Sequence, residues 1–473
     1  MTTEEEYLRL IADGLPAVPG RRLRVVVVGA GMAGLVAADA LLRAGHDPVV
    51  LEAQQRVGGR VYTLREPFAA GLYAEAGAMR IPRSHRLTMA LVEQFRLRTA
   101  PFTMNNPAGW CHLFGRKHRF RDIDAAPQLV GAHLAEGERG VTCGELWARA
   151  IRPFGDAIRE QGEAGWDDIV RRYDDHSTRE FLDEMGWSEA AIELFGLLMN
   201  QESLLNTSFL ELLREEIGHF YVDMVRIEGG MDLLPRAFLP ALAGRIRFGA
   251  RMVAIDQSDT GVTIHYQTPA GRRQAEGDHA IVTAPFPVLR HVEFVKPLSH
   301  SKRRAIRQLH YDASAKILFQ CRRRFWEEDD GIFGGGSVTD LAIRNVFYPE
   351  QCRETGRGIL LASYTWAEDA QRWGSLSPDE RIVQALENLA VLHPQVRDEF
   401  EVGASKMWHD DPFAGGAFAL FEPSQQTLLY RHIVAPEGRI HFAGEHASLH
   451  HAWIQGAIES GLRAAGEVNA MAA

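Results

Sequence analysis

The feature that most constrains the fold of this chain is a glycine-rich turn between a predicted strand and a predicted helix. Residues 23–28 (LRVVVV) form a largely β-branched run, which is typical of a strand buried in a parallel sheet. The run leads into residues 29–34 (GAGMAG), after which apolar residues recur at helical spacing until Gly45. A second predicted strand, residues 48–51, ends at Glu52. This order of elements predicts a unit that binds a dinucleotide.

Each part of this unit has a physical role. Gly29 permits a tight turn, Gly31 lets the backbone approach a pyrophosphate, and Gly34 lets the helix pack closely on the strand. The start of the helix presents unpaired N–H groups and the positive end of the helix dipole to the phosphates. Glu52 stands where a carboxylate accepts hydrogen bonds from the adenosine ribose.

A second glycine pair favours one dinucleotide over another. Residues 56–61 (RVGGRV) suit a loop that passes beneath the same pyrophosphate, with the Arg60 guanidinium paired to a phosphate. This segment favours FAD over NAD. Together with Glu52 and Ala53, the loop resembles the start of the flavin-dependent amine oxidase family. The resemblance implies a mixed α/β fold, with a Rossmann-like FAD-binding domain, a mixed-sheet substrate domain and an inserted helical domain.

The resemblance also implies that the FAD-binding domain is discontinuous in sequence. Residues 120–225 are interpreted as the helical insertion, because two capping boxes, at residues 177–180 and 208–211, open apolar runs there. The predicted bounds are 20–65, 226–305 and 430–473 for the FAD-binding domain, 1–19, 66–119 and 306–429 for the substrate domain, and 120–225 for the helical domain.

The composition argues against several classes of protein. The net charge of −10 disfavours a nucleic-acid partner, which requires a basic surface. The four cysteines are scattered and form no C-x-x-C pair, so neither a disulfide framework nor a thiolate zinc site is expected. The first residues do not resemble a signal peptide, and no apolar run is long enough to span a bilayer. We therefore expect a cytoplasmic protein without a membrane partner.

Residues 75–82 (EAGAMRIP) resemble a stretch that is specific to the L-amino acid oxidase branch of the family. In that branch the arginine that corresponds to Arg80 binds the α-carboxylate of the substrate. A guanidinium group suits this role because it donates two parallel hydrogen bonds to a carboxylate. Tyr348 matches the tyrosine that shares the carboxylate in the same relatives. The alternatives are a surface arginine at a helix end and a strand tyrosine packed against a neighbour.

Lys316 lies at the start of a predicted apolar strand, where an ammonium group is costly to bury without partners. It resembles the lysine of the family that holds a water against the reactive nitrogen of the flavin. The resemblance implies a catalytic role in the reoxidation of the flavin by dioxygen. The alternative is a structural ion pair.

The C-terminal signature is the strongest single match to the family. Residues 442–446 (FAGEH) and 452–457 (AWIQGA) resemble the motif that closes the flavin site. The resemblance implies that Glu445 accepts a hydrogen bond from the ribityl chain and that Trp453 walls the substrate site. It further assigns cofactor contacts to Met32, Ala33, Ala53, Gly59, Gly77, Ala78, Met79, Arg80, Val253, Gly444, Trp453, Ile454, Gln455 and Ala457.

Three positions separate this chain from the monoamine oxidases of the family. Those that bind their flavin covalently have cysteine at the position of Ala417, so the resemblance implies that FAD is bound non-covalently. They also carry two tyrosines that align the amine, where this chain has Phe418 and Trp453.

The histidines at 446, 450 and 451 suggest a metal, but a metal site requires further convergent ligands, so none is expected.

We therefore expect an FAD-dependent L-amino acid oxidase, which uses dioxygen to convert L-amino acids to 2-oxo acids with release of ammonia and hydrogen peroxide. The open alternatives are an amine oxidase for substrates without a carboxylate, a flavin amino acid 2-monooxygenase, and a flavin-binding interaction protein without turnover. The aromatic walls favour apolar or aromatic substrate side chains, whereas Gln201 and Glu202 favour a long cationic or amide side chain, and a broad substrate range is equally permitted. The resemblance implies at least a homodimer.

Overall fold

The structure is a computed structural model that describes residues 3–16, 20–131 and 133–472. Residues 1–2, 17–19, 132 and 473, which the predicted domain bounds include, lie outside the described residues. In chain order, the α-helices are α1 (Glu4–Asp13), α2 (Met32–Arg43), α3 (Arg86–Gln94), α4 (Phe120–Ala125), α5 (Cys143–Gln161), α6 (Glu163–Tyr173), α7 (Thr178–Glu184), α8 (Glu189–Leu198), α9 (Phe209–Ile217), α10 (Leu233–Arg236), α11 (Phe286–Leu289), α12 (His300–Gln308), α13 (Phe325–Glu328), α14 (Ala367–Gly374), α15 (Pro378–Leu392), α16 (Val396–Glu399), α17 (Gln425–Val434) and α18 (Ile454–Ala470).

The β-strands, several of them only two residues long, assemble into several sheets. In chain order they are β1 (Arg24–Val28), β2 (Asp47–Leu51), β3 (Thr63–Leu64), β4 (Ala74–Glu75), β5 (Ile81–Pro82), β6 (Thr99–Pro101), β7 (Trp110–Leu113), β8 (Arg116–Arg119), β9 (Met224–Ile227), β10 (Ile246–Arg247), β11 (Arg251–Gln257), β12 (Val262–Thr268), β13 (Gly271–Gly277), β14 (His279–Val282), β15 (Glu293–Phe294), β16 (His310–Asp312), β17 (Ser314–Cys321), β18 (Gly336–Thr339), β19 (Asn345–Phe347), β20 (Gly358–Trp366), β21 (Phe400–Met407), β22 (Phe418–Leu420) and β23 (Ile440–Phe442).

A five-stranded parallel sheet, in the order β10-β2-β1-β14-β23, carries the glycine-rich turn. Its strands lie in the three ranges that the sequence predicted for FAD binding. The predicted helix after the turn is confirmed as α2, and it packs with α18 in one hydrophobic cluster of this sheet. A second cluster, which includes residues of β11 and β12, covers the other face. The carboxyl ends of β1, β2 and β14 therefore meet at one edge of the sheet.

A seven-stranded mixed sheet, in the order β21-β17-β20-β19-β18-β7-β8, takes its strands from the ranges predicted for the substrate domain. The helices α4 to α9 bury their apolar faces in two further clusters. Helix α1, which we grouped with the substrate domain, packs instead with α2, α3 and α18. The division into three domains stays a prediction. Within the described ranges, no helix is both long and apolar enough to cross a membrane.

The two predicted capping boxes have different outcomes. Ser177 and Glu180 form the reciprocal pair at the start of α7. Ser208 caps α9 without its predicted partner, because the Glu211 carboxylate hydrogen-bonds with the His451 ring at 2.8 Å instead. The carboxylate that the pattern assigned to a helix end therefore stabilises a contact between distant segments.

Candidate active site

A cavity of about 680 Å³ begins at the carboxyl end of β1 and extends to residues of the seven-stranded sheet and of α8 and α9. Among the described residues with predicted roles, Gly34, Glu202, Val253, Tyr348 and Gln455 do not line it. The predicted residues that do line it are Gly29, Gly31, Met32, Ala33, Glu52, Ala53, Gly59, Arg60, Gly77, Ala78, Met79, Arg80, Gln201, Lys316, Phe418, Gly444, Glu445, Trp453, Ile454 and Ala457. The fold thus brings distant motifs to one cavity.

The turn between β1 and α2 leaves room for a phosphate group. Gly31 is the N-cap of α2, and no side chain caps the N–H groups of the first helical turn. A Cβ atom added at Gly31 would meet no atom within 4 Å. A Cβ atom added at Gly34 would lie 2.0 Å from the Gly29 carbonyl oxygen, which confirms that Gly34 serves close packing. This open helix N-terminus fits a pyrophosphate.

Glu52 is buried at the end of β2, on the cavity wall. Its Oε2 accepts a hydrogen bond from the Ala30 N–H at 2.7 Å, and its Oε1 accepts one from the Gln54 N–H at 2.8 Å. Burial raises the pKa of this carboxyl, while the backbone donors oppose the rise. The carboxylate is therefore held in a fixed orientation, and its contact with a ribose stays a prediction.

Arg60 and Glu445 form an ion pair that the sequence did not predict. Arg60 Nη1 donates to Glu445 Oε1 at 2.7 Å and to the Ala417 carbonyl oxygen at 3.0 Å. Glu445 Oε2 also accepts from the Ala452 N–H at 3.1 Å. The pair connects the loop after β2 to the C-terminal signature. The contacts of Arg60 with a phosphate and of Glu445 with a ribityl chain stay predictions.

The Arg80 side chain lines the cavity, and one of its hydrogen-bond donors has no partner among the described residues. Its Nη1 atom is buried and, within the described part of the chain, has no hydrogen-bond partner. The guanidinium carbon lies 5.7 Å from the ring centres of Phe102 and Phe347 and 5.8 Å from that of Tyr221. An unpaired buried guanidinium N–H is costly, so this geometry calls for an anionic ligand.

The prediction for Tyr348 is wrong. The Tyr348 side chain is buried away from the large cavity, and its hydroxyl lies 2.7 Å from both Ser337 Oγ and His393 Nε2. The Tyr348 hydroxyl is therefore already hydrogen-bonded within the protein, to Ser337 and His393. Tyr348 comes one residue after β19, where the chain leaves the strand and turns the ring toward His393.

Tyr364 is the strand tyrosine that lines the cavity instead. It pairs with Lys316 across β17 and β20, and the Lys316 Nζ lies 4.5 Å from its ring centre. Burial raises the pKa of the Tyr364 hydroxyl, and the nearby Arg80 guanidinium opposes this rise. Sequence reasoning missed Tyr364 because only the pairing register shows that it faces the same side as Lys316.

Lys316 is buried, as its position in an apolar strand predicted. Its Nζ donates to the carbonyl oxygens of Gly77 at 2.7 Å and Glu75 at 3.2 Å. Burial lowers the pKa of Lys316 to about 7, and the positive charge of Arg80 acts in the same direction. The ammonium is thus satisfied by carbonyl oxygens rather than by an ion pair, which was the alternative interpretation.

Trp453 and Phe418 stand on the cavity wall, as predicted. Trp453 Nε1 donates to Glu215 Oε1 at 2.7 Å, and Glu215 also lines the cavity. Sequence reasoning missed Glu215, since a glutamate in an amphipathic helix gives no signal of burial. Gln201 and Glu202 are the two residues that favoured a long cationic or amide substrate side chain. Gln201 lines the cavity, whereas Glu202 is ion-paired with Arg344.

Two predicted cofactor contacts are displaced from the cavity. Gln455 is buried, and its Oε1 accepts hydrogen bonds from the Thr88 N–H at 3.1 Å and hydroxyl at 3.2 Å. The backbone neighbours of Val253 at 251 and 252 line the cavity, while Val253 does not. In the part of the chain that the structure describes, no group of three histidine, cysteine or acidic side chains is arranged to hold a metal.

A family model for flavin containing amine oxidoreductases matches residues 32–469. The chain belongs to this family. It is 42% identical to a Bacillus subtilis protein named "Putative L-amino-acid oxidase YobN", over 98% of each chain. It is 35% identical to an L-amino-acid oxidase of Vipera ammodytes ammodytes, over 99% of this chain and 97% of that one.

Solved structures of flavin amine oxidoreductases share the fold. A putrescine oxidase variant superposes with a TM-score of 0.78 at 21% identity, covering 96% of this chain and 100% of that one. Cyclohexylamine oxidase from Brevibacterium oxydans superposes with a TM-score of 0.76 at 20% identity, covering 95% of this chain and 99% of that one. The mixed α/β architecture predicted from the sequence is thereby confirmed.

As a flavin amine oxidoreductase, the protein is an oxidoreductase, and the family implies a flavin cofactor. The residues of the cavity fit such a group. The uncapped start of α2 suits the phosphates, and the open space at Gly31 leaves room for them. The oriented carboxylate of Glu52 suits a sugar hydroxyl.

Proposed function

We propose that this flavin amine oxidoreductase is an L-amino acid oxidase that binds FAD non-covalently. It converts an L-amino acid, dioxygen and water to a 2-oxo acid, ammonia and hydrogen peroxide. The observation that carries the proposal is the Arg80 guanidinium on the cavity wall, whose Nη1 atom is buried and has no hydrogen-bond partner among the described residues. An α-carboxylate satisfies this donor, whereas an amine without a carboxylate leaves it unpaired.

FAD, when bound, supplies the acceptor for the hydride that leaves the α-carbon of the substrate. The protein supplies orientation. Arg80 binds the carboxylate with two parallel hydrogen bonds, and Tyr364, near Arg80, offers its hydroxyl to the same group. Phe418 and Trp453 form walls that exclude water and restrict how the substrate turns. Lys316 holds a proton at Nζ beside these groups, and its low pKa keeps that proton transferable near neutral pH.

The experiment that tests the proposal is peroxide release from the purified protein with the twenty L-amino acids, their D-enantiomers and simple amines. Peroxide from L-amino acids alone supports it. Peroxide from amines alone makes the protein an amine oxidase, like the putrescine oxidase and the cyclohexylamine oxidase that share its fold. An amide product instead of a 2-oxo acid makes it a monooxygenase. Bound flavin that no L-amino acid bleaches without oxygen makes it a non-catalytic flavin protein.

Replacing Tyr348 with phenylalanine should destabilise the protein without impairing turnover. The change leaves His393 Nε2 and Ser337 Oγ without their shared partner, which costs about 1–3 kcal/mol of unfolding free energy. Urea denaturation measures this loss, and KM for an L-amino acid should stay within about twofold.

Tyr364→Phe is the matched variant, and it should raise KM for L-amino acids by about tenfold, since a hydrogen bond to a charged group is lost. Simple amines, where they react, should show no such change. A raised KM in Tyr348→Phe and an unchanged KM in Tyr364→Phe would restore the assignment that the sequence suggested.

A further inference from the structure

Glu215 is a carboxyl group on the cavity wall that has no positively charged partner in the part of the chain that the structure describes. It lies on α9, where its Oε1 accepts from Trp453 Nε1 at 2.7 Å and its Oε2 accepts from the Tyr221 hydroxyl at 2.8 Å. Both donors are neutral, and none of the described lysine, arginine or histidine side chains forms an ion pair with it. The Glu445 carboxylate on the same cavity, by contrast, is paired with an arginine. Glu215 is therefore free to pair with a cationic ligand.

The surroundings of Glu215 favour a cation. The rings of Trp453 and Tyr221, whose centres lie 5.8 Å apart, both contact its carboxyl through their polar atoms, and aromatic ring faces attract cations. Glu216, the next residue along α9, also lines the cavity. Burial, together with the carboxyls of Glu211 and Glu216, raises the pKa of Glu215 to about 7. An incoming cation would offset this unfavourable environment.

Tyr221 connects Glu215 to the proposed carboxylate anchor. The Arg80 guanidinium carbon lies 5.8 Å from the Tyr221 ring centre, and the hydroxyl of the same ring donates to Glu215. An amino acid whose carboxylate is held at Arg80 therefore has Glu215 within reach of a long side chain. The cavity thus presents a positive group and a negative group in the order that complements an amino acid with a cationic side-chain end.

We propose that Glu215 binds the positively charged end of the substrate side chain, so that the enzyme prefers L-arginine and L-lysine to neutral L-amino acids of similar length. The inference rests on the proposed L-amino acid oxidase function, because it requires the α-carboxylate at Arg80. It differs from the apolar or aromatic preference that the aromatic walls suggested. It assigns the selection of a cation to Glu215 instead of Glu202, which is neutralised by Arg344.

The test compares matched substrates in wild type, Glu215→Gln and Glu215→Asp. L-Citrulline replaces the guanidinium of L-arginine with a neutral urea of nearly the same shape, and L-norleucine has the carbon chain of L-lysine without the terminal ammonium. In the wild type, kcat/KM should be at least about tenfold higher for arginine than for citrulline. Glu215→Gln should lower this ratio by about 10- to 100-fold, while Glu215→Asp, which keeps the charge, should retain part of it.

The pH dependence of the ratio of kcat/KM for arginine to kcat/KM for citrulline distinguishes an ion pair with Glu215 from simple packing against its side chain. Since the Glu215 carboxyl must be ionised to pair, the ratio of arginine to citrulline should rise as pH increases through about 7 in the wild type. It should be flat in Glu215→Gln. The ratio of the kcat/KM values for arginine and citrulline is unaffected by any titration that changes both values alike. Such titrations include those of the groups that lie near Glu215 or near its hydrogen-bond partners. These groups are Glu211, Glu216, Tyr221, Arg80 and His85.

The outcomes distinguish the two proposals. Equal kcat/KM for arginine and citrulline, or a loss in Glu215→Gln that is the same for every L-amino acid, overturns the role of Glu215 and leaves the oxidase function intact. The second result would mean that Glu215 contacts the α-amino group instead. Flavin-loaded protein that oxidises no L-amino acid overturns both. The flavin absorbance of each variant shows that the site has folded.

Discussion

Replacing Gly31 with valine should give a folded protein that carries less than about a tenth of the wild-type FAD, and correspondingly little activity. The backbone of Gly31, with φ of −73° and ψ of 179°, is open to any residue, and an added Cβ meets no protein atom within 4 Å. The side chain therefore enters the space at the start of α2 that the pyrophosphate requires. Flavin absorbance per protein and the far-ultraviolet circular dichroism measure the two parts of this result.

The matched control is Gly137→Val. An added Cβ at Gly137 also meets no atom within 4 Å, but Gly137 does not line the cavity. This variant should bind FAD as the wild type does. Full flavin content in Gly31→Val would contradict the assignment of the α2 N-terminus to the pyrophosphate, whereas an unfolded Gly31→Val would contradict the open space around Gly31.

Arg80→Ala should lower kcat/KM for L-amino acids by about 150- to 5000-fold. The substrate carboxylate is buried on binding, and removing its charged partner leaves it uncompensated, at about 3–5 kcal/mol. Most of the loss should fall on KM if the carboxylate contact is equally strong in the ground state and the transition state. Arg80→Lys should recover only part of the rate, because an ammonium cannot donate the two parallel hydrogen bonds of a guanidinium.

Arg83→Ala is the matched control for this prediction. Arg83 lies three residues along the chain, and its side chain is about half exposed and paired with Asp223. Its loss should change kcat/KM for L-amino acids by less than about twofold, because exposed ion pairs contribute little. A similar small effect of Arg80→Ala would refute the carboxylate anchor, and so would unchanged L-amino acid turnover accompanied by new activity with simple amines.

Local patterns predicted the βαβ unit at one end of the cavity well. The turn at residues 29–34 is followed by α2 as expected, and Gly34 packs on Gly29 in the predicted way. Such a unit is predictable because the strand, the turn and the helix are adjacent in sequence, and each residue type determines the backbone conformation at its own position. The position of Lys316 in an apolar strand likewise predicted a buried amine, which the structure describes.

The part of the cavity next to the seven-stranded sheet was less predictable, as two tyrosines show. Tyr348 and Tyr364 lie in neighbouring strand regions with similar apolar surroundings in sequence. Whether a tyrosine faces the cavity or the Ser337–His393 pair depends on strand register, and a shift of one residue reverses the face. Glu215 shows the same limit for a helix, since its neighbours Trp453 and Tyr221 come from the C-terminal signature and from the turn after α9.

The sequence by itself therefore determined the βαβ unit and the flavin amine oxidoreductase family, and it singled out Arg80, which we propose binds the substrate carboxylate. These depend on short motifs whose residues act within a few positions of one another. Only the tertiary structure decided that Arg60 pairs with Glu445, that Tyr364 rather than Tyr348 lines the cavity, and that Glu215 on the cavity wall has no cationic partner among the described residues. Such contacts join segments far apart in the chain, and their geometry is set by sheet register and helix packing, which no local pattern specifies.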